Sequence, residues 1–299
     1  MTPSTSQFRA IGYAVLGFAL WVATDSCVKW VGEAQLPPQE IVFFLSFFGM
    51  ITIAAYACAR RRPKHLWPNR PRAQIVRAAL AFTTGIFNAI ALKHLPLTLF
   101  YITVFTAPLM IALLAAVFLR EKLTWQKIVA VVVGFVGVMI AIDPFRDIGH
   151  GSLIGFGAAF VSAVCFAVSV IWLRHITQSE TSESLVFFGA LFGAICGGVA
   201  TLYHAEPVTL KLFPILVAMG VLCVGGNLAV YGALRSTTAA NVSQFHYTQI
   251  IGGALLGYLI WNEIPTLNLL AGSVFIIASG LYIASHARKT DNLATLNPH

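Results

Sequence analysis

Ten runs of roughly twenty apolar residues follow one another along the chain, near 11–31, 40–59, 74–92, 96–119, 126–142, 151–173, 184–203, 213–234, 239–260 and 266–286. A helix needs about 20 residues to cross some 30 Å of hydrocarbon. Lipid offers the backbone no hydrogen-bond partner, so such runs can span only as helices that satisfy their own N–H and C=O groups. Ten-residue alternating segments of the barrel type do not fill the chain. The expected fold class is therefore an all-α membrane protein.

Composition agrees: 58% of residues are hydrophobic, 10% are charged and the mean hydropathy is +0.81. Proline and charge punctuate the runs, as in "LPPQE", "RRRPKHLWPNRPR", "KHLP", "REKLTWQK" and "DPFRD". No signal peptide is expected, because the first run is long and lacks a small-residue cleavage site.

With the N-terminus in the cytoplasm, fifteen of the nineteen Lys and Arg residues fall in inner loops, leaving Lys29, Lys93, Arg146 and Lys211 outside. That asymmetry predicts cytoplasmic termini in a bacterial inner membrane. It also makes the basic 60–72 loop a topological anchor in contact with the bilayer surface, with no nucleic-acid partner. The five cysteines show no metal-ligand spacing and read as small core residues. With no HExxH, phosphate loop or nucleophile elbow, neither an enzyme nor a metal or cofactor is expected.

The chain also repeats itself. "ALKHLPLTLFYITVFTAPLMIALLAAVFLREKLT" from Ala91 and "ALRSTTAANVSQFHYTQIIGGALLGYLIWNEIPT" from Ala233 align without a gap at an offset of 142, matching Glu121 with Glu263. A fainter echo pairs Gly12 and Lys29 with Gly157 and Arg174. Two copies of five spans, 1–147 and 148–299, must enter the bilayer from opposite faces because five is odd. Ten transmembrane helices as two inverted five-helix repeats is how many secondary transporters frame a midplane site.

The stretches around Pro108, Glu121 and Gly137, and around Glu263, Gly272 and Gly280, resemble the paired signatures of EamA-domain proteins in the drug/metabolite transporter superfamily. The resemblance spans essentially the whole chain. It implies ten helices around a central cavity and transport of small metabolites, amino acids and aromatic amino acids among them. Ile250 departs from the family by standing where the second copy usually carries proline, which predicts a straighter ninth helix than Pro108 gives the fourth.

Polar side chains inside spans are costly on lipid and should face protein or a water-filled cavity. The ninth span is densest, with Asn241, Ser243, Gln244, His246, Tyr247 and Thr248. Other spans offer matching faces: Trp21 and Asp25; Thr84 and Asn88; Thr98, Tyr101 and Phe105; Ser162, Phe166 and Ser169; Asn227 and Tyr231. From these, Trp21, Asp25, Thr84, Asn88, Tyr101, Phe105, Ser169, Asn227, Tyr231, Gln244, Tyr247 and Thr248 are candidate substrate contacts, with Asp25 and His246 as candidate proton carriers. Asp25 is the one acidic residue deep in a span; it serves the cavity or pairs with Lys29 one turn on. His246 is either a site residue or a packed imidazole. Glu121 and Glu263 precede Thr124 and Thr266, and read as helix-capping carboxylates rather than substrate contacts. Gly189, Gly193 and Gly197 read as a helix-packing ridge.

All basic residues lie at or near span ends, which argues against a phosphorylated substrate. A small zwitterion fits better, so export of neutral or aromatic amino acids by alternating access is the leading expectation. A lipophilic-cation exporter is the rival within transport; a non-transporting scaffold or passive channel is the rival outside it.

Overall fold

The computed structural model describes residues 5–107, 109–111, 114, 125–142, 153–174, 179–203, 205–236, 242 and 245–296. Among them are ten α-helices and no strand: α1 (Thr5–Glu33), α2 (Pro38–Ala59), α3 (Pro71–His94), α4 (Leu97–Val104), α5 (Trp125–Ile142), α6 (Leu153–Arg174), α7 (Ser182–Thr201), α8 (Phe213–Ser236), α9 (Thr248–Trp261) and α10 (Leu267–Leu296). Six of these, α1, α2, α3, α6, α7 and α8, are long and apolar enough to cross a bilayer; the apolar stretches of α4, α5, α9 and α10 are shorter. Large apolar side chains lie open on the outside, including Met139, Val199, Leu259 and Val274, as a lipid-facing surface requires.

Local sequence sets the helix starts. Pro38 and Pro71 occupy first-turn positions, where the missing N–H costs nothing, and Pro96 precedes α4. Thr181 caps α7 by accepting from the Ser184 N–H at 3.0 Å. Asn262, left-handed at φ 54°, closes α9.

Helix pairing has its own symmetry. α1 packs along α8 and α3 along α6; α2 meets α8 and α3 meets α7; α1 touches α9 and α4 touches α6. Advancing each helix by five exchanges the two members of every such set, and maps the pairs α2–α7, α4–α9 and α5–α10 onto themselves, whereas α1 also touches α3 without an equivalent α6–α8 contact of the same extent. Two loop braces follow the same exchange. Glu40, in the first turn of α2, accepts from the Glu206 N–H before α8 at 3.1 Å. Glu180, just before α7, accepts from the Asn69 and Arg70 N–H groups before α3 at 3.2 and 2.7 Å.

The ninth helix is not the straight one expected from Ile250. Helix geometry is interrupted at Phe105–Thr106 after α4 and again at Tyr247 before α9, positions related by the offset of 142 or next to it. The same hydrogen bond accompanies both. The Thr106 hydroxyl donates to the Thr103 carbonyl at 2.8 Å, and the Thr248 hydroxyl donates to the Phe245 carbonyl at 2.6 Å. A hydroxyl bonded back into the preceding turn competes with the helical ladder, and at Tyr247 the interruption occurs with no proline in the segment. Pro108 itself lies outside the described residues.

Two basic residues counted as loop charges are interior. Lys29 is 5% and Arg77 8% exposed. Burial of Lys29 removes it from the outer loops and of Arg77 from the inner ones, so the loop asymmetry survives. Cys58 is exposed and Cys27, Cys165, Cys196 and Cys223 are only half-buried, so the expectation that all five are core residues is corrected: Cys58 faces outward.

α1 and α8 pack backbone to backbone. A β-carbon at Gly226 would sit 2.9 Å from Trp21 Nε1 and 3.1 Å from the Gly17 carbonyl oxygen. Gly226→Val should therefore lower stability by about 1–3 kcal/mol through overpacking, read as a fall in melting temperature. A variant melting like the wild type would show that the two helices are not held this close.

Candidate functional site

Four elements bring six of the thirteen nominated residues together: Trp21, Asp25, Tyr101, Phe105, His246 and Tyr247. Asp25 projects from α1 and its Oδ2 accepts from the Tyr101 hydroxyl of α4 at 2.7 Å. Tyr101 and Phe105 are almost wholly buried, at 2% and 1% exposed. Phe105 stacks on Tyr247 with ring centroids 5.1 Å apart and planes 28° off parallel. These two rings are equivalents at the 142-residue offset, so the two broken helices meet through their own matching side chains. His246 sits inside an aromatic set: Phe18 and Phe105 at 4.8 Å, Trp21 at 6.2 Å and Phe166 at 6.3 Å. The result is one half-buried carboxylate beside a cluster of rings, a setting suited to an ammonium or other organic cation.

The alternative of an Asp25–Lys29 pair is overturned. Lys29 Nζ instead bonds Glu263 Oε1 and lies 4.7 Å above the Trp261 ring. The reason is direction: Asp25 turns toward α4, whereas Lys29, one turn on, reaches the α9–α10 connection. Glu263 caps a helix as expected, but not the one that follows it. Its Oε2 accepts from the Leu97 N–H at 2.9 Å, at the start of α4, while Thr266 Oγ1 accepts from the Leu269 N–H at 3.3 Å in α10. One carboxylate thus joins α1, α4 and the α9–α10 connection. Its repeat partner Glu121 lies outside the described residues.

Other candidates fall elsewhere. Asn88 accepts from Ser162, tying α3 to α6. Thr84 donates to its own Leu80 carbonyl at 2.8 Å. Ser169 is half-buried on α6. Thr248 spends its hydroxyl on the break described above. Gln244, with Asn241 and Ser243, lies outside the described residues. Asn227 and Tyr231 stand apart from the aromatic cluster, on the wall of a cavity of about 190 Å³ between α2, α3, α7 and α8.

That cavity holds the residue that sequence reading missed. Arg77 lines it with Ser46, Gly49, Phe82, Gly85 and Gly189. Its Nε donates to Gln74 Oε1 at 3.1 Å and its Nη2 to the Leu185 carbonyl. Placing every basic residue at a span end is correct along the chain and misleading in depth, because Arg77 stands six residues inside α3, where the exposed start at Pro71 and Arg72 has given way to the buried Gln74, Arg77 and Ala78. The signal that could have found it is its register with Gln74, Ala78, Ala81 and Gly85, which shares the inward stripe of α3. The glycine ridge divides accordingly: Gly193 and Gly197 lie against Ser46 and Phe43 of α2, whereas Gly189 makes room for the guanidinium.

Tyr247→Phe removes a hydroxyl while keeping the stack with Phe105. Melting temperature should stay within a few degrees of wild type and transport should fall, if the hydroxyl faces substrate. Early melting with full activity in the folded fraction would assign it to helix bonding instead.

Known proteins fit this arrangement. The S-adenosylmethionine uptake transporter of Rickettsia conorii is 27% identical over 291 residues, covering 96% of each chain. The pseudopaline exporter of Pseudomonas aeruginosa is 26% identical over 269 residues, covering 89% of this chain and 92% of that one. The riboflavin transporter of Brucella anthropi is 21% identical, covering 94% and 100%. A solved crystal structure, 18% identical, superposes with a TM-score of 0.69 over 93% of this chain and 98% of the other, a likeness of fold. Transport is common to the named relatives; direction and cargo are not. The profile of the EamA-like transporter family matches twice, over residues 8–142 and 153–285, and the chain is an integral membrane protein of that family.

Proposed function

We propose that the protein is a secondary transporter of small metabolites carrying an amino-acid group, neutral or aromatic amino acids foremost, exported by alternating access. The observation that carries this reading is the meeting of two equivalently broken helices at the Phe105–Tyr247 stack, beside the Asp25 carboxylate. Discontinuous helices at matching points of two repeats are where transporters bind cargo. Asp25 offers an acceptor for an ammonium, and Trp21, Phe105 and Tyr247 offer walls for an aromatic side chain. The R. conorii relative is named for S-adenosylmethionine, itself an amino acid with a bulky cationic substituent, which supports the class. Relatives named for both uptake and export leave direction to the gradient, and export here rests on the family resemblance.

The helix pairing that survives a shift of five supports two inverted repeats, 1–147 and 148–299, spanning ten times, and the Lys and Arg bias of the loops supports both termini in the cytoplasm. A single cysteine introduced at position 65 should react with an impermeant maleimide from the cytoplasmic side; reaction only from outside would overturn the orientation. The second reading, a lipophilic-cation exporter, draws on the rings of Phe18, Trp21 and Phe105 near Asp25.

Reconstituted protein should give saturable counterflow of labelled phenylalanine driven by unlabelled internal phenylalanine, without ATP. Counterflow of tetraphenylphosphonium but not phenylalanine would select the cation exporter. Flux that never saturates and shows no counterflow would indicate a channel.

A further inference from the structure

Arg77 is a buried cation without a buried anion. No described carboxylate lies within salt-bridge distance, since the ion pair among the described residues is Lys29–Glu263. Of its five guanidinium N–H groups, Nε and one on Nη2 have acceptors, a side-chain amide and a backbone carbonyl. Neither acceptor carries charge. Taking a guanidinium from water without a counter-charge is expensive. Beside it, Gln74 is 0% exposed and its Nε2 has no hydrogen-bond partner. Two neighbouring side chains on one helix thus hold surplus donors and lack acceptors.

The surroundings leave room for the missing acceptor. Arg77 is the one charged residue lining the 190 Å³ cavity, whose other described walls are apolar or neutral, with Ser46, Asn227 and Tyr231 as its polar members. Gly189 keeps the space over Nη2 clear: a β-carbon there would stand 3.0 Å from that nitrogen.

We infer that this cavity is an anion subsite, in which the Arg77 fork takes the carboxylate of the transported molecule. The inference rests on the transport reading above and names where the acidic end of the cargo binds. A planar guanidinium with free N–H groups matches a carboxylate through two parallel hydrogen bonds. A single cation fits a monoanion; a dianionic phosphate would call for a second basic group that the cavity wall lacks. The cavity lies between α2, α3, α7 and α8, apart from the Asp25 cluster, so it is a separate carboxylate site and not one half of a grip on a single small zwitterion.

Titration calorimetry on the purified full chain would use phenylalanine, its methyl ester and phenyl phosphate. Wild type should bind the free acid at least tenfold more tightly than the ester, which keeps the ammonium and ring but loses the negative charge. R77Q should lose that preference by weakening the acid alone, R77K should keep part of it, and Gly189→Ala, which crowds the fork without touching charge, should weaken the acid selectively. Equal binding of acid and ester by wild type overturns the subsite whatever the variants do. So does absence of acid binding, tighter binding of phenyl phosphate, or an R77Q protein that melts like wild type yet keeps the preference. Acid binding through Arg77 in a protein that shows no counterflow would instead defeat the transport reading and leave a carboxylate site standing.

Discussion

Glu263→Ala is expected to cost about 3–5 kcal/mol of stability, the largest effect of any single change outside the apolar core. Removing one partner of a buried ion pair strands the other, and Lys29 is 5% exposed. The same change orphans the Leu97 N–H at the start of α4, which the carboxylate accepts at 2.9 Å. The Trp261 ring, 4.7 Å from the ammonium, offsets only part of this. Lys29→Met combined with Glu263→Met should recover much of the loss, because no charge is then left buried, although Leu97 still lacks its acceptor. Chemical denaturation in mixed micelles reads both. A double variant no more stable than Glu263→Ala would mean that the cost comes from the cap or from repacking rather than from the stranded lysine.

Asp25→Asn should reduce transport by about 10- to 100-fold with little change in melting temperature. The amide has nearly the same shape and can still accept from Tyr101, now 2.7 Å from the carboxylate, so the fold keeps its contact. What disappears is the negative charge, and a charge-assisted bond to a substrate ammonium contributes about 1.5–3 kcal/mol. Tyr101→Phe removes the donor and keeps the charge, so its transport should suffer less. If Asp25 instead carries a coupled proton, Asp25→Asn should also abolish any dependence of flux on pH. Wild-type flux from the Asn variant would reduce Asp25 to a hydrogen-bond partner that holds α1 against α4.

Much was legible in the chain because bilayer physics acts on composition and length. Spans were readable as apolar runs punctuated by proline and charge, and the internal repeat from Glu121, Glu263 and the residues aligned around them. The repeat even carried the broken helices in disguise: Thr106 and Thr248 are equivalents beside the two breaks, yet a threonine inside an apolar run is ordinarily a helix residue. Ile250 in place of proline pointed the other way, since proline is the visible signal for a bend and the interruption at Tyr247 occurs without one.

Within the candidate site, residue types were predictable and partners were not. Trp21, Asp25, Tyr101, Phe105, His246 and Tyr247 could be nominated because polar or aromatic groups at helical spacing must face inward in lipid. Asp25 could not be matched with Tyr101, 76 residues away, nor Lys29 with Glu263, 234 residues away. The sequence by itself determined that the chain is helical, membrane-embedded and twofold in its repeat, because those properties follow from transfer free energies and periodicity summed along a single strand of residues. Only tertiary structure decided which ionic groups were neutralised: it gave Lys29 a carboxylate and left Arg77 without one among the described residues, because charge pairing at depth depends on which helix faces which, and a chain read in one dimension carries that information in no local pattern.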